Sequence, residues 1–264
     1  MVREISKFGP GKAKVLKGKM LENSGTEPKP HDDISALESW ILGIFVCIAL
    51  ALRLFFFQFR CMVEGDGAIY ASLARNFLLG DLSAAANCYW SRLFPPVIAI
   101  FSLFTKDVVL AGRLVSAIFG AFILVPVFLL TRDIFGRKAA IAASCLVAAH
   151  PFLIQFSSLV YTESFFTFWF TTAIWLGWKA LRKPTPKMWA SLAFVLAVAF
   201  LTRLEALTLA FLFPLALCIY SVISRKVRIR LVIVCIIVMV LVFGVIIAPQ
   251  TAATKYYFHS IVLR

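Results

Sequence analysis

Residues Leu231–Pro249 read LVIVCIIVMVLVFGVIIAP, nineteen positions without a charge. At about 1.5 Å per residue a helix of that length covers roughly the 30 Å hydrocarbon core of a bilayer. A helix on the surface of a soluble core would show a polar stripe, and this run has none. Six more apolar runs lie upstream, at about Leu37–Phe57, Val108–Leu130, Ala139–Phe156, Tyr161–Trp178, Met188–Leu201 and Leu204–Ile223. The sequence therefore predicts an all-α polytopic membrane protein with about seven transmembrane helices. Composition agrees, with 61% hydrophobic residues, 15% charged residues and a mean hydropathy of +0.91. Soluble domains carry about 25% charged residues. These figures exclude a water-soluble enzyme, a disordered chain and a nucleic-acid module. Six scattered cysteines are too few for a disulfide scaffold.

The net charge of +14 is a topology signal. Residues 1–36 carry seven Lys/Arg and little hydrophobic periodicity, as expected of a mobile basic tail rather than a signal peptide. With that tail cytoplasmic, three loops on its side hold eleven basic residues: Arg132, Arg137, Lys138; Lys179, Arg182, Lys183, Lys187; and Arg225, Lys226, Arg228, Arg230. They face one acid, Asp133. The other side holds Glu64, Asp66, Asp81, Asp107, Glu163 and Glu205, six of the seven acids that follow the first span. This is the positive-inside distribution, and the basic loops also attract anionic lipid. It places the amino terminus in the cytoplasm and the acid-bearing rim outside.

Gln58 to about Asp107 forms the one long loop, and a loop of that length in a compact protein is usually functional. Asp66 is expected to cap a helix from Gly67 to Leu79 that Gly80 ends. Its Ile69, Leu73 and Phe77 stripe reads as an amphipathic helix on the membrane surface. After Arg92, the pair Pro95-Pro96 opens a second apolar segment through Phe104, too short to cross. Two corners on the same side carry Glu163 and the Arg203/Glu205 pair. Ionisable groups at a membrane edge are costly and often mark function, so Asp66, Glu163, Arg203 and Glu205 are candidates to converge on one cavity.

In order, the segments Asp66-Gly-Ala-Ile-Tyr70-Ala-Ser-Leu-Ala-Arg75-Asn, Phe94-Pro-Pro, Ala111-Gly-Arg113-Leu-Val-Ser, Ala149-His-Pro151, Leu159-Val-Tyr-Thr-Glu163-Ser and Leu201-Thr-Arg203-Leu-Glu-Ala resemble GT-C superfamily glycosyltransferases. The nearest branch is the family-39-like group of protein mannosyltransferases, aminoarabinose transferases and bacterial relatives. The resemblance spans roughly residues 40–250. It implies inverting transfer of a hexosyl or pentosyl unit from a polyprenyl-phosphate carrier to a glycan, lipid or protein acceptor on the external face. By the same resemblance Asp66 is the catalytic base and Glu163 a second acidic site. Arg203 lies near the carrier phosphate, with Arg75, Arg92, Glu205 and Tyr70 as further substrate contacts. Many relatives have Asp-Glu where this chain has Asp66-Gly67, so the neighbouring carboxylate is missing. No cofactor is demanded; a divalent metal stays open. The expected organisation is the tail, 1–36, and a seven-span module, 37–264, lacking a variable C-terminal part.

Two rival readings share these residues: a transporter or flippase for a lipid-linked substrate, and a catalytically incomplete fragment. Each site residue also has a structural reading. Asp66 can be only a cap, Glu163 a turn residue, and Arg203 and Glu205 a local pair. Arg75 and Arg92 can face headgroups. Arg53, one turn from the end of the first span, is expected to snorkel, and His150 to be buried and hydrogen-bonded. Cys61 and Cys88 share the long loop and can pair in an oxidising compartment.

Overall fold

The computed structural model describes residues 35–59, 65–81, 90–224 and 227–258. The tail up to residue 34, Glu64, Arg225 and Lys226 lie outside the described residues, as do Cys61 and Cys88 with their expected pairing. Among the described residues there are eleven helices and no strand. In chain order they are α1 (Ala36–Phe57), α2 (Gly65–Leu78), α3 (Phe94–Thr105), α4 (Val108–Phe122), α5 (Leu124–Phe135) and α6 (Arg137–Ala149). There follow α7 (Pro151–Ser157), α8 (Thr162–Arg182), α9 (Pro186–Thr202), α10 (Ala206–Ser224) and α11 (Ile229–Phe258).

Contacts divide the chain into one unit ending at Ser39 and a second that begins at Trp40. The described part of the first is the start of α1. There the Ser35 side chain accepts from the Glu38 N–H (3.2 Å) and the Glu38 carboxylate accepts from the Ser35 N–H (3.0 Å). This reciprocal pair is a capping box, and it satisfies amides that the helix itself leaves unbonded.

In the second unit, side-chain chemistry explains where helices begin and stop. Asp107 accepts from the N–H groups of Val109 and Leu110 and so starts α4. Thr185 caps α9, with Pro186 at a position that needs no N–H. Pro151 separates α6 from α7 with a bend of 55°. Only the turn at Ile123 interrupts α4 and α5, and its backbone stays helical, so Val108–Phe135 forms one crossing-length unit.

Among the described residues, four helical units are long and apolar enough to cross a bilayer: Ala36–Phe57, Val108–Phe135, Ala206–Ile223 and Ile229–Tyr256. The bent α6–α7 pair makes a fifth if it is one span. The other two expected spans, α8 and α9, do not stand in that set. α8 has the length, 21 residues, but its threonines and charged ends dilute its apolarity. α9 is 17 residues long. It is also the most enclosed helix, packing along α8 on one side and α11 on the other. Trp189, Leu192, Leu196, Leu217, Val232 and Met239 form the core of this half. A second cluster joins α2, α3, α4 and α8 through Tyr70, Phe94, Ile98, Val115 and Phe165, and Trp169 packs against both.

Three local expectations need correction. α2 begins at Gly65, so Asp66 lies inside its first turn and does not precede it. α2 buries Gly67, Tyr70, Ala71 and Ala74, whereas Ile69, Leu73 and Phe77 are only half-buried. The small residues let α2 approach α3 closely, so protein covers this face. His150 is exposed beside Phe152, because the helix break turns it outward.

Arg53 does not snorkel. It is 0% exposed, with Nε donating to Ser157 Oγ (3.2 Å) and a terminal nitrogen to the Ala49 carbonyl (3.0 Å). Ser157 in turn shares a hydrogen bond with Ser164 of α8 (3.0 Å). Gly120 makes room for this arrangement: a Cβ there would collide with Ser157 and lie 3.1 Å from Arg53 Nε. Gly120→Ala is therefore expected to destabilise the protein by about 1–3 kcal/mol, the usual cost of overpacking. Gly244→Ala, inside α11 where a Cβ would meet nothing within 4 Å, should be neutral to stabilising by up to about 1 kcal/mol. Thermal unfolding of both variants in one detergent tests the difference.

Candidate active site

At one end of the second unit, α8 and α10 start and α9 stops. Their side chains meet there because each helix terminus exposes unsatisfied backbone groups and places its end residues at the rim. The last-turn carbonyl of Leu201 in α9 accepts from the N–H groups of Arg92 (3.0 Å) and Leu93 (3.3 Å), which docks the segment before α3 onto the end of α9. Ser116 of α4 donates to the Tyr161 carbonyl (3.1 Å) and fixes the chain as it enters α8. Gly112 lets this entry come close, since a Cβ there would lie 2.6 Å from Val160 Cγ1.

Arg203 is the hub of the rim. One terminal nitrogen meets a Glu163 carboxylate oxygen at 3.0 Å. The other terminal nitrogen and Nε grip a single Glu205 oxygen at 2.9 and 3.2 Å. The guanidinium also lies 5.7 Å from the centre of the Phe166 ring, a cation–π contact. The side chains of Arg203 and Glu163 are each 36% exposed and that of Glu205 is 57% exposed. Ion pairs so open to solvent contribute about 0.2–1 kcal/mol each. Their larger effect is to hold the guanidinium in place.

Tyr70 connects this group to Asp66, which stands one turn earlier on α2. The tyrosine is buried; its hydroxyl interacts with the Thr162 side chain and the Ser91 backbone, and the charges of Glu163 and Asp66 both reach it. A ladder of aromatic rings holds it, edge-to-face at Tyr70–Phe94 and Phe165–Phe119 and tilted at Phe94–Phe165. The Tyr70 ring is 5.3 Å from Phe94, Phe94 is 5.9 Å from Phe165, and Phe165 is 4.5 Å from Phe119. Asp66 itself is exposed in the first turn of α2 and Glu163 lies in the first turn of α8. Helix N-termini favour negative charge.

The structure thus brings Tyr70, Arg92, Glu163, Arg203 and Glu205 to one rim, with Asp66 within electrostatic reach. It does not bring Arg75 there. That residue is exposed in the last turn of α2, about 14 Å along the helix axis from Asp66. Arg92 is buried instead of facing headgroups. Thr162, Ser91 and Phe166 also join the rim; the sequence signal for Thr162 is its place next to Glu163 in the Leu159–Ser164 segment. Among the described residues no group of three His, Cys, Asp or Glu side chains is arranged to hold a metal ion. The two glutamates converge on a guanidinium.

Residues 91–250 match the family of dolichyl-phosphate-mannose-protein mannosyltransferases. The chain belongs to that family. It is an integral membrane protein of glycosyltransferase type, in keeping with its long apolar helices. The matched stretch includes Arg92, Glu163, Arg203 and Glu205; Asp66, Tyr70 and Arg75 precede it. No curated protein and no solved structure matches the chain.

Electrostatics at the rim yield a stability profile. Burial pushes the Tyr70 hydroxyl above its ordinary value of 10, and the negative charges of Glu163 and Asp66 push it the same way. The native state therefore prefers the neutral phenol. That contribution is complete below about pH 10 and is lost as pH rises through the raised value. Glu205 shifts the other way: hydrogen bonds from Arg203 lower its carboxyl pKa below the usual 4.5. Its contribution is present above that value and is lost as pH falls through the lowered one. Around Arg203, partial burial lowers the guanidinium pKa and the bonds and charges of Glu205 and Glu163 more than reverse this, so the guanidinium stays charged. Unfolding midpoints measured across pH should show Tyr70→Phe flattening the alkaline limb and Glu205→Gln flattening only the acid limb.

Proposed function

We propose that the protein moves a sugar from a polyprenyl-phosphate carrier to a glycan, lipid or protein acceptor on the external face of the membrane. The observation that carries this reading is the meeting of Glu163, Glu205 and Arg203 at one rim, with Asp66 near enough for its charge to reach the buried Tyr70. Asp66 is exposed where an acceptor hydroxyl can reach it, and a carboxylate can take the proton as that hydroxyl attacks. Arg203 is suited to the departing phosphate, because a guanidinium bonds phosphate oxygens in bidentate form. The more exposed Glu205 is the partner a phosphate would displace. Glu163 would then keep the guanidinium oriented. One displacement of this kind inverts the anomeric centre and needs no covalent intermediate.

Beside Arg203 lies an apolar groove of about 710 Å³, lined in part by Phe200, Leu204, Leu207, Phe211, Phe243 and Ile247. Its chemistry suits the carrier's hydrocarbon chain. The orientation rests on charge: Arg182 and Lys183 end α8 at the rim opposite Glu163, roughly 28 Å away along the helix. That separation approaches one bilayer core, and basic loops mark the cytoplasmic side.

The transporter reading draws on a different observation, the broken α6–α7 pair beside buried Arg53. Discontinuous helices and buried ions are common in transporters. A quenching assay on reconstituted vesicles carrying a fluorescent polyprenyl phosphate separates the two readings. Protein-dependent flipping without transfer favours the transporter.

The test of transfer uses the full chain reconstituted with labelled polyprenyl-phosphate sugars and membrane-extract acceptors. Asp66→Asn should lower turnover at least about 100-fold, the usual scale for losing a general base. Arg203→Gln should chiefly raise KM for the carrier. An Asp66→Asn variant with wild-type turnover overturns the assignment. Topology is checked separately: cysteines introduced at Glu205 and at Lys183 should label with a membrane-impermeant maleimide from opposite sides, the first from outside.

A further inference from the structure

The rim opposite the candidate active site holds a second cavity, of about 560 Å³. It lies between the end of α8, the Lys183–Thr185 connection, the end of α10 and the start of α11. Three cations line it, Arg182, Lys183 and Arg228, together with the hydroxyl-bearing Tyr220 and Thr185 and the apolar Leu231. Among the described residues, no acid lines it. Asp133, on the same rim, has partners of its own: its carboxylate meets Arg132 at 3.2 Å and the Trp175 indole N–H at 3.2 Å. Three cationic side chains gathered around one concavity suit an anion.

The arginine at its edge is held in position. The Arg182 guanidinium lies 5.0 Å from the centre of the Trp178 ring and donates to the Asp133 carbonyl at 3.5 Å. Little side-chain entropy is then left to lose when an anion binds. The surroundings are not those of a water-filled anion site. Val222 and Ile223 on the last turns of α10 are 75% and 77% exposed, and Ile229 at the start of α11 is 65% exposed. Cationic pocket and bare hydrocarbon stand side by side at one end of a membrane bundle.

We propose that this cavity binds the headgroup of an anionic phospholipid, with the acyl chains lying along the exposed face of α10 and α11. Phosphate oxygens accept from Arg182, Lys183 and Arg228, and the adjoining apolar side chains give a lipid an advantage that a free phosphate ion lacks. Basic pockets between membrane helices are suited to such headgroups. The site lies about one bilayer thickness from the Arg203 rim, and it depends on the membrane character of the chain and not on the transfer reaction.

Native mass spectrometry of the full chain, purified in neutral detergent and supplemented with phosphatidylglycerol or phosphatidylcholine, tests the proposal. Wild type should retain one phosphatidylglycerol at collision energies that strip phosphatidylcholine. The variant R182A/K183A/R228A should lower phosphatidylglycerol occupancy at least tenfold. R137A/K138A, which removes two charges from the same rim outside the cavity, should leave it unchanged. A third variant, Arg228→Gln, should give an intermediate loss and provides a single-site reading where the triple variant unfolds. Equal losses in the cavity and R137A/K138A variants would mean diffuse charge attraction and overturn the site. Retention in Arg228→Gln and the triple variant at wild-type level also overturns it. So does displacement of phosphatidylglycerol by equimolar inorganic phosphate, which would make the ligand a free anion. Transfer activity does not enter any of these readouts, so the glycosyltransferase reading stands or falls separately.

Discussion

The Tyr70–Phe94–Phe165 aromatic ladder is the constraint on which the geometry of the rim depends. Asp66 and Glu163 lie almost one hundred residues apart in the chain, on helices that share no hydrogen-bonded turn. Tyr70 is four residues after Asp66 and Phe165 two residues after Glu163, so ring packing through Phe94 fixes how far apart the two acids stand. The edge-to-face Tyr70–Phe94 pair contributes about 0.5–1.5 kcal/mol beyond its burial, and the tilted Phe94–Phe165 pair adds ring packing. They also favour particular angles, and that angular preference makes the spacing reproducible. The small face of α2 completes the fit, since Gly67, Ala71 and Ala74 leave no bulk to hold the helix away from α3.

Arg203 illustrates a complementary principle. Its charge is needed at the rim, yet an unpaired guanidinium there would sample many rotamers. Glu163, Glu205 and the Phe166 face restrain it from three sides. Each contact is modest because each is half open to water. The arrangement keeps the cation oriented while leaving it exchangeable, which suits a group that must meet a charged substrate and then release it.

Much of this was legible in the residues. Apolar run length located where the long helices begin within a few positions, because hydrocarbon thickness sets that length directly, but α11 runs on through Pro249 to Phe258 instead of ending there. Pro151, Pro186 and Gly80 marked breaks for steric reasons that do not depend on tertiary context, and Gly80 indeed takes a left-handed φ of +85°. The acids and Arg203 stood out as charges at the ends of apolar runs. Other features were hidden by the same logic. The apolar period of α2 pointed to Ile69, Leu73 and Phe77, but close approach to α3 selected the small-residue stripe. α9 looked like a short span, whereas packing on α8 and α11 gives its apolar residues a protein partner. The local Arg203–Glu205 pair could be read from spacing. The bond from Arg203 to Glu163, across forty residues, could not.

Arg53 has a consequence for how the protein is made. Its acceptor Ser157 lies 104 positions further along the chain. At about 5–20 residues per second, synthesis delivers that serine some 5–20 s after the arginine. During that interval the first span has no Ser157 to bond, and a charge within a membrane span is costly even one turn from its end. The side chain can stretch toward the interface for that time. The long reach of arginine therefore serves the nascent span, and the hydroxyls of α7 and α8 take over once the bundle closes.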